Sequence, residues 1–159
     1  MATIEFYSGI ADKANHAVRL MRKAQAKGAR VAVVGDAAAL RRLDADLWTA
    51  DARDFVPHVR LEGARATPLN ARMDRTPLWL VEDARLARRC QVLVNLGPDA
   101  VESLEGFERV IELVANDPDD RTAGRTRWRR YEAMGHTIRH TPMDHPGSSA
   151  PDGASHGDA

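Results

Sequence analysis

An α/β domain built on a mainly parallel sheet is the fold that the sequence predicts. Short apolar or β-branched runs alternate with amphipathic helical segments, and glycine marks several of the boundaries between them. The run Val31–Val34 shows no alternation of polar and apolar residues, which is typical of a strand covered on both faces. Strands and helices that follow one another in this order form parallel sheets with right-handed crossovers.

Two strand–helix units are predicted in the N-terminal part. Residues 3–7 are mostly β-branched or aromatic and predict the first strand. Residues 11–27 carry apolar side chains at three- and four-residue spacing, which predicts a helix that ends at Gly28. After the second strand, a further helix is predicted over residues 37–43, and residues 44–74 show no regular pattern.

The C-terminal part is predicted to contain three more strands and one helix. Residues 78–81 and 91–96 are strand-like, whereas residues 107–114 fit a strand or a helix, and we favour the strand. A helix is predicted over residues 117–134 because its first turn contains Pro118 and several acidic residues. Carboxylates there stabilise the positive end of the helix dipole, and proline is tolerated at that position.

We expect a single domain over residues 1–140 and a disordered tail over residues 141–159, since Gly, Ser, Pro, Asp and His dominate the tail. The 23 basic and 23 acidic residues balance, which argues against a protein whose whole surface binds nucleic acid. The lone Cys90 suits a reducing compartment. Neither a signal peptide nor a membrane-spanning apolar run is recognisable, so we expect a cytoplasmic protein without membrane contact.

One turn resembles the phosphate-binding turns of nucleotide-binding folds. Gly35 and Asp36 stand between a predicted strand and a predicted helix. Neither of the glycine-rich phosphate-loop patterns can be written here, and residues 37–39 are alanines whose methyl groups would obstruct phosphate. We therefore expect sheet scaffolding and no nucleotide cofactor.

Histidines cluster near the C-terminus and could be metal ligands. His136, His140 and His145 lie close together with Asp144 beside His145. Because Gly135 is predicted to end the last helix, the four-residue spacing does not place these side chains on one helix face. We favour a solvated tail and expect no metal. No nucleophile–base pair stands out, so no catalytic residue is predicted.

Arginine is concentrated in the last predicted helix, where aromatic residues stand between the basic ones. Positions 121, 125, 128 and 129 share one helix face. That face could bind carboxylates over an apolar floor, or phosphates and stacked bases, or it could be a solvated surface with its tryptophan in the core. Gly124 is expected to weaken this helix by about 1 kcal/mol relative to alanine. The residues concerned are Arg121, Arg125, Arg127, Trp128, Arg129, Arg130 and Tyr131.

A second group of large apolar side chains lies in the irregular middle of the chain. It consists of Trp48, Phe55, Val56 and Pro57. Such a group is typical of a patch that binds a partner protein, but it could equally close one end of the sheet.

Several segments together resemble the chi subunits of bacterial DNA polymerase III. Residues 43–48 (LDADLW) and 55–58 (FVPH) are similar to that family's LD-x-x-LW…FVPH signature. The opening, with Phe6-Tyr7, a long helix and the segment GARV at residues 28–31, is similar to the family's opening. Residues 125–135 resemble the family's pattern R-x-R-aromatic-basic-x-Y-x-x-x-G. In order, these segments span most of residues 1–140.

The resemblance implies a Rossmann-like, three-layer α/β domain without a functional nucleotide site and without catalytic activity of its own. It implies a heterodimer with the psi subunit, which joins the clamp loader, through Trp48, Phe55, Val56 and Pro57. It also implies a surface for the acidic C-terminal tail of single-stranded-DNA-binding protein, formed by Val114, Arg121, Arg125, Trp128 and Arg129.

The resemblance further implies a division of roles on that surface. Arg125 would pair with the terminal carboxylate of the tail, and Arg121 and Arg129 with its acidic side chains. Trp128 and Val114 would line an apolar slot. Two alternatives remain open: a module that binds single-stranded nucleic acid directly, and, less favoured, a nucleotide-dependent enzyme.

Overall fold

A computed structural model describes residues 2–49, 57–61, 76–87 and 89–143. Three α-helices, one 3₁₀ turn and seven strands lie within these residues. The helices are α1 (Lys13–Ala26), α2 (Ala37–Thr49) and α3 (Pro118–Ala133), and the 3₁₀ turn is Ala84–Leu86. The strands are β1 (Thr3–Ile10), β2 (Val31–Val34), β3 (His58–Leu61), β4 (Leu78–Val81), β5 (Val92–Asn95), β6 (Arg109–Ala115) and β7 (Thr137–Pro142).

The strands form one sheet in the order β3-β4-β2-β5-β6-β1-β7. Every strand pairing among the described residues is parallel, which confirms the predicted fold class. β1 lies between β6 and β7, so Phe6 has Glu112 on one side and His140 on the other. β3 and β7 are the edge strands.

Helices cover both faces of the sheet, which gives the three predicted layers. On one face, α1 and α2 pack their apolar stripes on the sheet; the buried helix residues there are Ala17, Val18, Met21, Leu40, Leu43 and Leu47. On the other face, α3 and the 3₁₀ turn cover a second cluster that includes Ile4, Trp79, Leu93, Val110 and Tyr131. The residues of β6 alternate between these clusters, with Leu113 on the α1 side and Val114 on the α3 side.

Helix α2 is longer than predicted, because it runs to Thr49 instead of ending at Leu43. Leu40, Leu43 and Leu47 recur at three- and four-residue spacing and are all buried, so residues 44–48 continue the helix. Asp44, near the middle of α2, accepts hydrogen bonds from His58 and Arg60 of β3. These hydrogen bonds connect α2 to an edge strand that the sequence did not predict.

The histidines His136 and His140, interpreted from the sequence as part of a solvated tail, lie at an edge strand that the sequence did not predict. Residues 137–142 form β7, which pairs in parallel with β1, and the ring of His136 lies 6.1 Å from that of Tyr131. The strand has little apolar pattern of its own and is held by its pairing with β1. His145, Asp144 and the rest of the predicted tail lie outside the described residues.

No helix among the described residues has the length and apolar character needed to cross a lipid bilayer.

Candidate functional site: a groove between α3 and β1

All five residues predicted to hold an acidic tail surround a single groove. Val114, Arg121, Arg125, Trp128 and Arg129 line a space of about 520 Å³ between α3 and the edge of the sheet formed by β1 and β7. Phe6 and Ser8 of β1 and His140 of β7 also line it. We call this space the α3 groove.

Local signals hold α3 in place above the sheet. The side chain of Asp117 accepts a hydrogen bond from the backbone N–H of Asp120, which caps the helix where the sequence predicted its start. The carboxylate of Asp120 accepts from the backbone N–H of Ala115, at the end of β6, and from Lys13 of α1, with oxygen–nitrogen distances of 2.7 and 3.2 Å. The first turn of α3 is therefore tied to the sheet and to α1.

Gly124 allows α3 to approach β6 closely. A Cβ atom at this position would lie 2.9 Å from Cγ2 of Val114, closer than real Cβ contacts. Glycine is expected to lower the stability of the helix, but at this position it also permits a close contact between the helix and the sheet. Because of this contact, Val114 lies directly under α3 and contributes to the floor of the groove.

Trp128 is partly buried and belongs to both the core and the groove. Its ring centroid lies 5.0 Å from that of Phe6 and 6.1 Å from that of His140, the latter in a T-shaped arrangement. The indole packs against the cluster on the α3 side of the sheet and also lines the α3 groove. The sequence left two positions open for this tryptophan, on the surface or in the core. The structure combines them, because one part of the indole packs on the core and another part lines the groove.

Three guanidinium groups stand around this indole and have no carboxylate partner among the described residues. Arg121, Arg125 and Arg129 are exposed, and none of their guanidinium groups forms an ion pair with the parts of the chain that the structure describes. Glu132 is the acidic residue in the lining. The α3 groove is therefore a cationic site over an apolar floor.

The opposite face of α3 carries a buried arginine, Arg127, which the sequence pattern did not distinguish from the exposed ones. Arg127 is 1% exposed, and its Nε lies 2.7 Å from Oε1 of Glu112, which is completely buried. Glu112 also accepts hydrogen bonds from the Tyr131 hydroxyl and the Asn95 amide, at 2.6 and 2.8 Å. Arg127 donates further to the backbone carbonyl oxygens of residues 98 and 113.

Burial is the main influence on the pKa of the Glu112 carboxyl group. It raises the pKa of Glu112, against the lowering effects of the Arg127 charge and of the hydrogen bonds from Tyr131, Asn95 and Arg127. The pKa of Tyr131 is raised by burial and by the neighbouring Glu112. The sequence contained one signal for this network: Glu112 is flanked by apolar residues in FERVIELV, and a buried acid needs a partner.

The described residues of the second predicted surface, Trp48 and Pro57, lie at the other edge of the sheet. The side chain of Trp48 is 61% exposed at the end of α2, and its ring centroid lies 5.7 Å from that of His58 in the edge strand β3. Pro57 is also exposed. Phe55 and Val56 lie outside the described residues. Trp48 and the α3 groove are therefore separated by the width of the sheet.

The position where doubly wound folds bind nucleotides is acidic in this chain. A crevice lies at the carboxyl ends of β2, β4 and β5, where such folds hold ligands. The Asp36 side chain there accepts a hydrogen bond from the Ala39 N–H and so caps α2. The rim also carries Glu82, Asp83, Asp99 and Glu102. Asp83 pairs with Arg85, which also lines the crevice, and Glu102 pairs with Arg130, but the carboxylates still outnumber these cations and disfavour a phosphate group. Among the described residues, no group of His, Cys, Asp and Glu is arranged to hold a metal ion.

Comparison with known proteins points to one family. A sequence model described as "DNA polymerase III chi subunit, HolC" matches residues 1–139. A curated relative, "DNA polymerase III subunit chi" from Pseudomonas aeruginosa, is 29% identical over 124 residues, which cover 77% of this chain and 81% of the relative.

Proposed function

Since this chain belongs to the DNA polymerase III chi subunit family, we propose that it is a non-catalytic accessory subunit of the replicase that links two protein partners. One partner is the acidic C-terminal tail of single-stranded-DNA-binding protein, which the α3 groove binds. The other is the psi subunit, through which the chain joins the clamp loader. No cofactor is needed for either contact.

The observation that carries the proposal is the set of guanidinium groups around the indole of Trp128 that have no ion-pair partner among the residues the structure describes. An acidic peptide that ends in an apolar residue has two recognition elements, its carboxylates and its apolar side chain. Arg125 would pair with the terminal carboxylate, and arginine suits this task because its planar fork binds a carboxylate through two hydrogen bonds. Arg121 and Arg129 would pair with acidic side chains further up the peptide.

The apolar side chain of the peptide would occupy the floor formed by Trp128, Val114 and Phe6. Exposed ion pairs contribute only about 0–1 kcal/mol each, so the buried apolar anchor and its attached carboxylate should supply most of the affinity. The contact should be weak, because a short peptide buries little area, and it should weaken further as salt screens the guanidinium charges.

The psi contact is proposed for the surface around Trp48. Exposed tryptophans are frequent anchors of protein interfaces, and Trp48 is exposed and packs against the ring of His58, which follows the exposed Pro57 in the chain. Phe55 and Val56 are assigned to the same surface from the family signature alone. Because this surface and the α3 groove lie at opposite edges of the sheet, both partners could bind at once.

The tail contact is tested with a fluorescent peptide that carries the C-terminal residues of the same organism's single-stranded-DNA-binding protein. We expect Arg125→Ala and Trp128→Ala to weaken binding at least about tenfold, as for central interface residues. Arg130→Ala is the matched control, because Arg130 is on the same helix but pairs with Glu102 and does not line the groove. Equal affinity for the wild type, R125A and W128A would reject the assignment of the groove.

The psi contact is tested separately, by co-purification of the full chain with psi. Trp48→Ala should reduce the recovered complex while leaving peptide binding intact. If the complex with psi is retained in W48A and lost in W128A, psi binds at the α3 groove and not at the surface around Trp48, and this part of the proposal is wrong.

A further inference from the structure

A second groove lies on the opposite face of the sheet, between α1 and the edge formed by β1 and β7. It has a volume of about 700 Å³ and is lined by Tyr7 of β1, by one side of α1, and by Asn116 and Met143. We propose that this α1 groove binds a short stretch of single-stranded nucleic acid, with Arg19 and Lys23 on the phosphates and the rings of Tyr7 and His16 against the bases.

The α1 groove has cations at a regular spacing. Arg19 and Lys23 are exposed and four residues apart on α1, which separates them by about 6 Å along the helix axis. Neither forms an ion pair with the described residues. Their charges are therefore available to two successive phosphates of an extended strand.

The acidic groups near these cations are already engaged. The carboxylate of Asp12 accepts a hydrogen bond from the backbone N–H of Asn15 and caps α1. Glu5, on the same face of the sheet as Tyr7, accepts from Arg109 and from the Tyr7 hydroxyl, at 2.8 and 2.9 Å. Arg139 of β7 stands opposite Glu5 in register and adds a further positive charge to this face. The cations of this region (Arg19, Lys23, Arg109 and Arg139) outnumber its carboxylates (Asp12 and Glu5), so the local charge is positive although the whole chain is neutral.

The groove also has planar groups suited to bases. The rings of Tyr7 and His16 line it, with centroids 6.5 Å apart. Burial, together with the charges of Arg19 and Lys23, lowers the pKa of His16, which favours the neutral form of this planar ring. Aromatic faces stack on bases of any sequence. Asn15 and Asn116 supply amide groups that can donate to and accept from base edges.

These features favour nucleic acid over a second acidic peptide. Both grooves contain aromatic rings, but the cations of the α3 groove are all guanidinium forks, and none of the described residues that line it has a side-chain amide. The α1 groove combines an ammonium and a guanidinium group with two rings and two amides. Repeating phosphates and bases match that combination. The predicted contact has little sequence preference, because stacking does not distinguish one base from another and the two amides can either donate to or accept from a base edge.

The test measures the fluorescence anisotropy of a labelled oligothymidylate with the full chain at low salt. We expect binding whose affinity falls with salt, with a slope of log K against log salt of about −1.4 for two phosphate contacts. Arg19→Ala with Lys23→Ala should weaken binding about tenfold, since each exposed ion pair contributes modestly. Both residues are exposed, so the double variant should keep its fold, which circular dichroism checks.

The matched control is Arg121→Ala with Arg125→Ala, which removes two charges from the other face of the sheet. This control should bind the oligonucleotide as the wild type does, and the R19A/K23A variant should bind the acidic peptide as the wild type does. The proposal is overturned if the oligonucleotide does not bind at low salt, if R19A/K23A binds it unchanged, or if R121A/R125A alone abolishes that binding.

Discussion

The two faces of α3 carry the same residue type in opposite roles. On the inner face, Arg127 is buried and its guanidinium is shared among Glu112 and two backbone carbonyl oxygens. On the groove face, Arg121, Arg125 and Arg129 are exposed and form no ion pair within the described part of the chain. The charge on the inner face is neutralised by a partner within the protein, whereas the charges on the groove face have no ion-pair partner among the described residues.

This difference shows that the number of arginines in a helix says little about its function. A buried, fully bonded arginine contributes to the architecture, because leaving either member of a buried pair alone is costly. Exposed, unpaired arginines add almost nothing to stability and are available to a partner. The comparison can be tested by removing one residue at a time from each face.

The largest effect is expected from Arg127→Ala. This change leaves Glu112 buried without its cation, and loss of one member of a buried pair costs about 3–5 kcal/mol. Urea denaturation followed by circular dichroism should show a midpoint far below that of the wild type. A midpoint close to the wild-type value would mean that Glu112 is satisfied without Arg127.

An intermediate effect is expected from Gly124→Ala. The added methyl group meets Val114 at 2.9 Å, and overpacking of this kind costs about 1–3 kcal/mol, offset by about 1 kcal/mol of helix propensity. The same measurement should show a net loss, and peptide binding should fall as α3 shifts. In a Val114→Ala background the same Gly124→Ala change should cost less than it does in the wild type; an equal loss in both backgrounds would show that the contact is not the cause.

The smallest effect on stability is expected from Arg121→Ala and Arg129→Ala. Exposed substitutions away from caps and cores usually change the unfolding free energy by no more than about 0.5 kcal/mol. Their effect should appear instead in the salt dependence of peptide binding, whose slope should become shallower in each variant. A stability loss comparable to that of R127A would mean that the groove face is structural.

Much of the fold followed from local signals. The strand over residues 107–114 and the start of α3 were predicted correctly, because an apolar run and an acidic, proline-containing first turn act within a few residues. The edge strands β3 and β7 were missed, since neither has a continuous apolar run and both are stabilised by pairing with a neighbouring strand. The end of α2 was missed although Leu47 continues the apolar spacing.

The groove residues were found partly by helix spacing and partly by the family resemblance. Helix spacing alone placed Arg121, Arg125, Trp128 and Arg129 on one face. Val114 is on a different element and was assigned to the site from the family resemblance. His140 and Phe6 were not assigned to the site, because only the pairing of β7 with β1 brings them to it. The partial burial of Trp128 depends on tertiary packing against other elements, which no local sequence pattern predicts.

The central claim is that the guanidinium of Arg125 binds a terminal carboxylate, and a double-mutant cycle tests it most directly. Calorimetric titration would compare the acidic peptide with its C-terminally amidated form, against the wild type and Arg125→Ala. We predict that amidation and R125A each weaken binding about fivefold to tenfold, and that the two together weaken it little more than either alone. Fully additive losses, or an amidated peptide that binds as tightly as the free acid, would contradict the account.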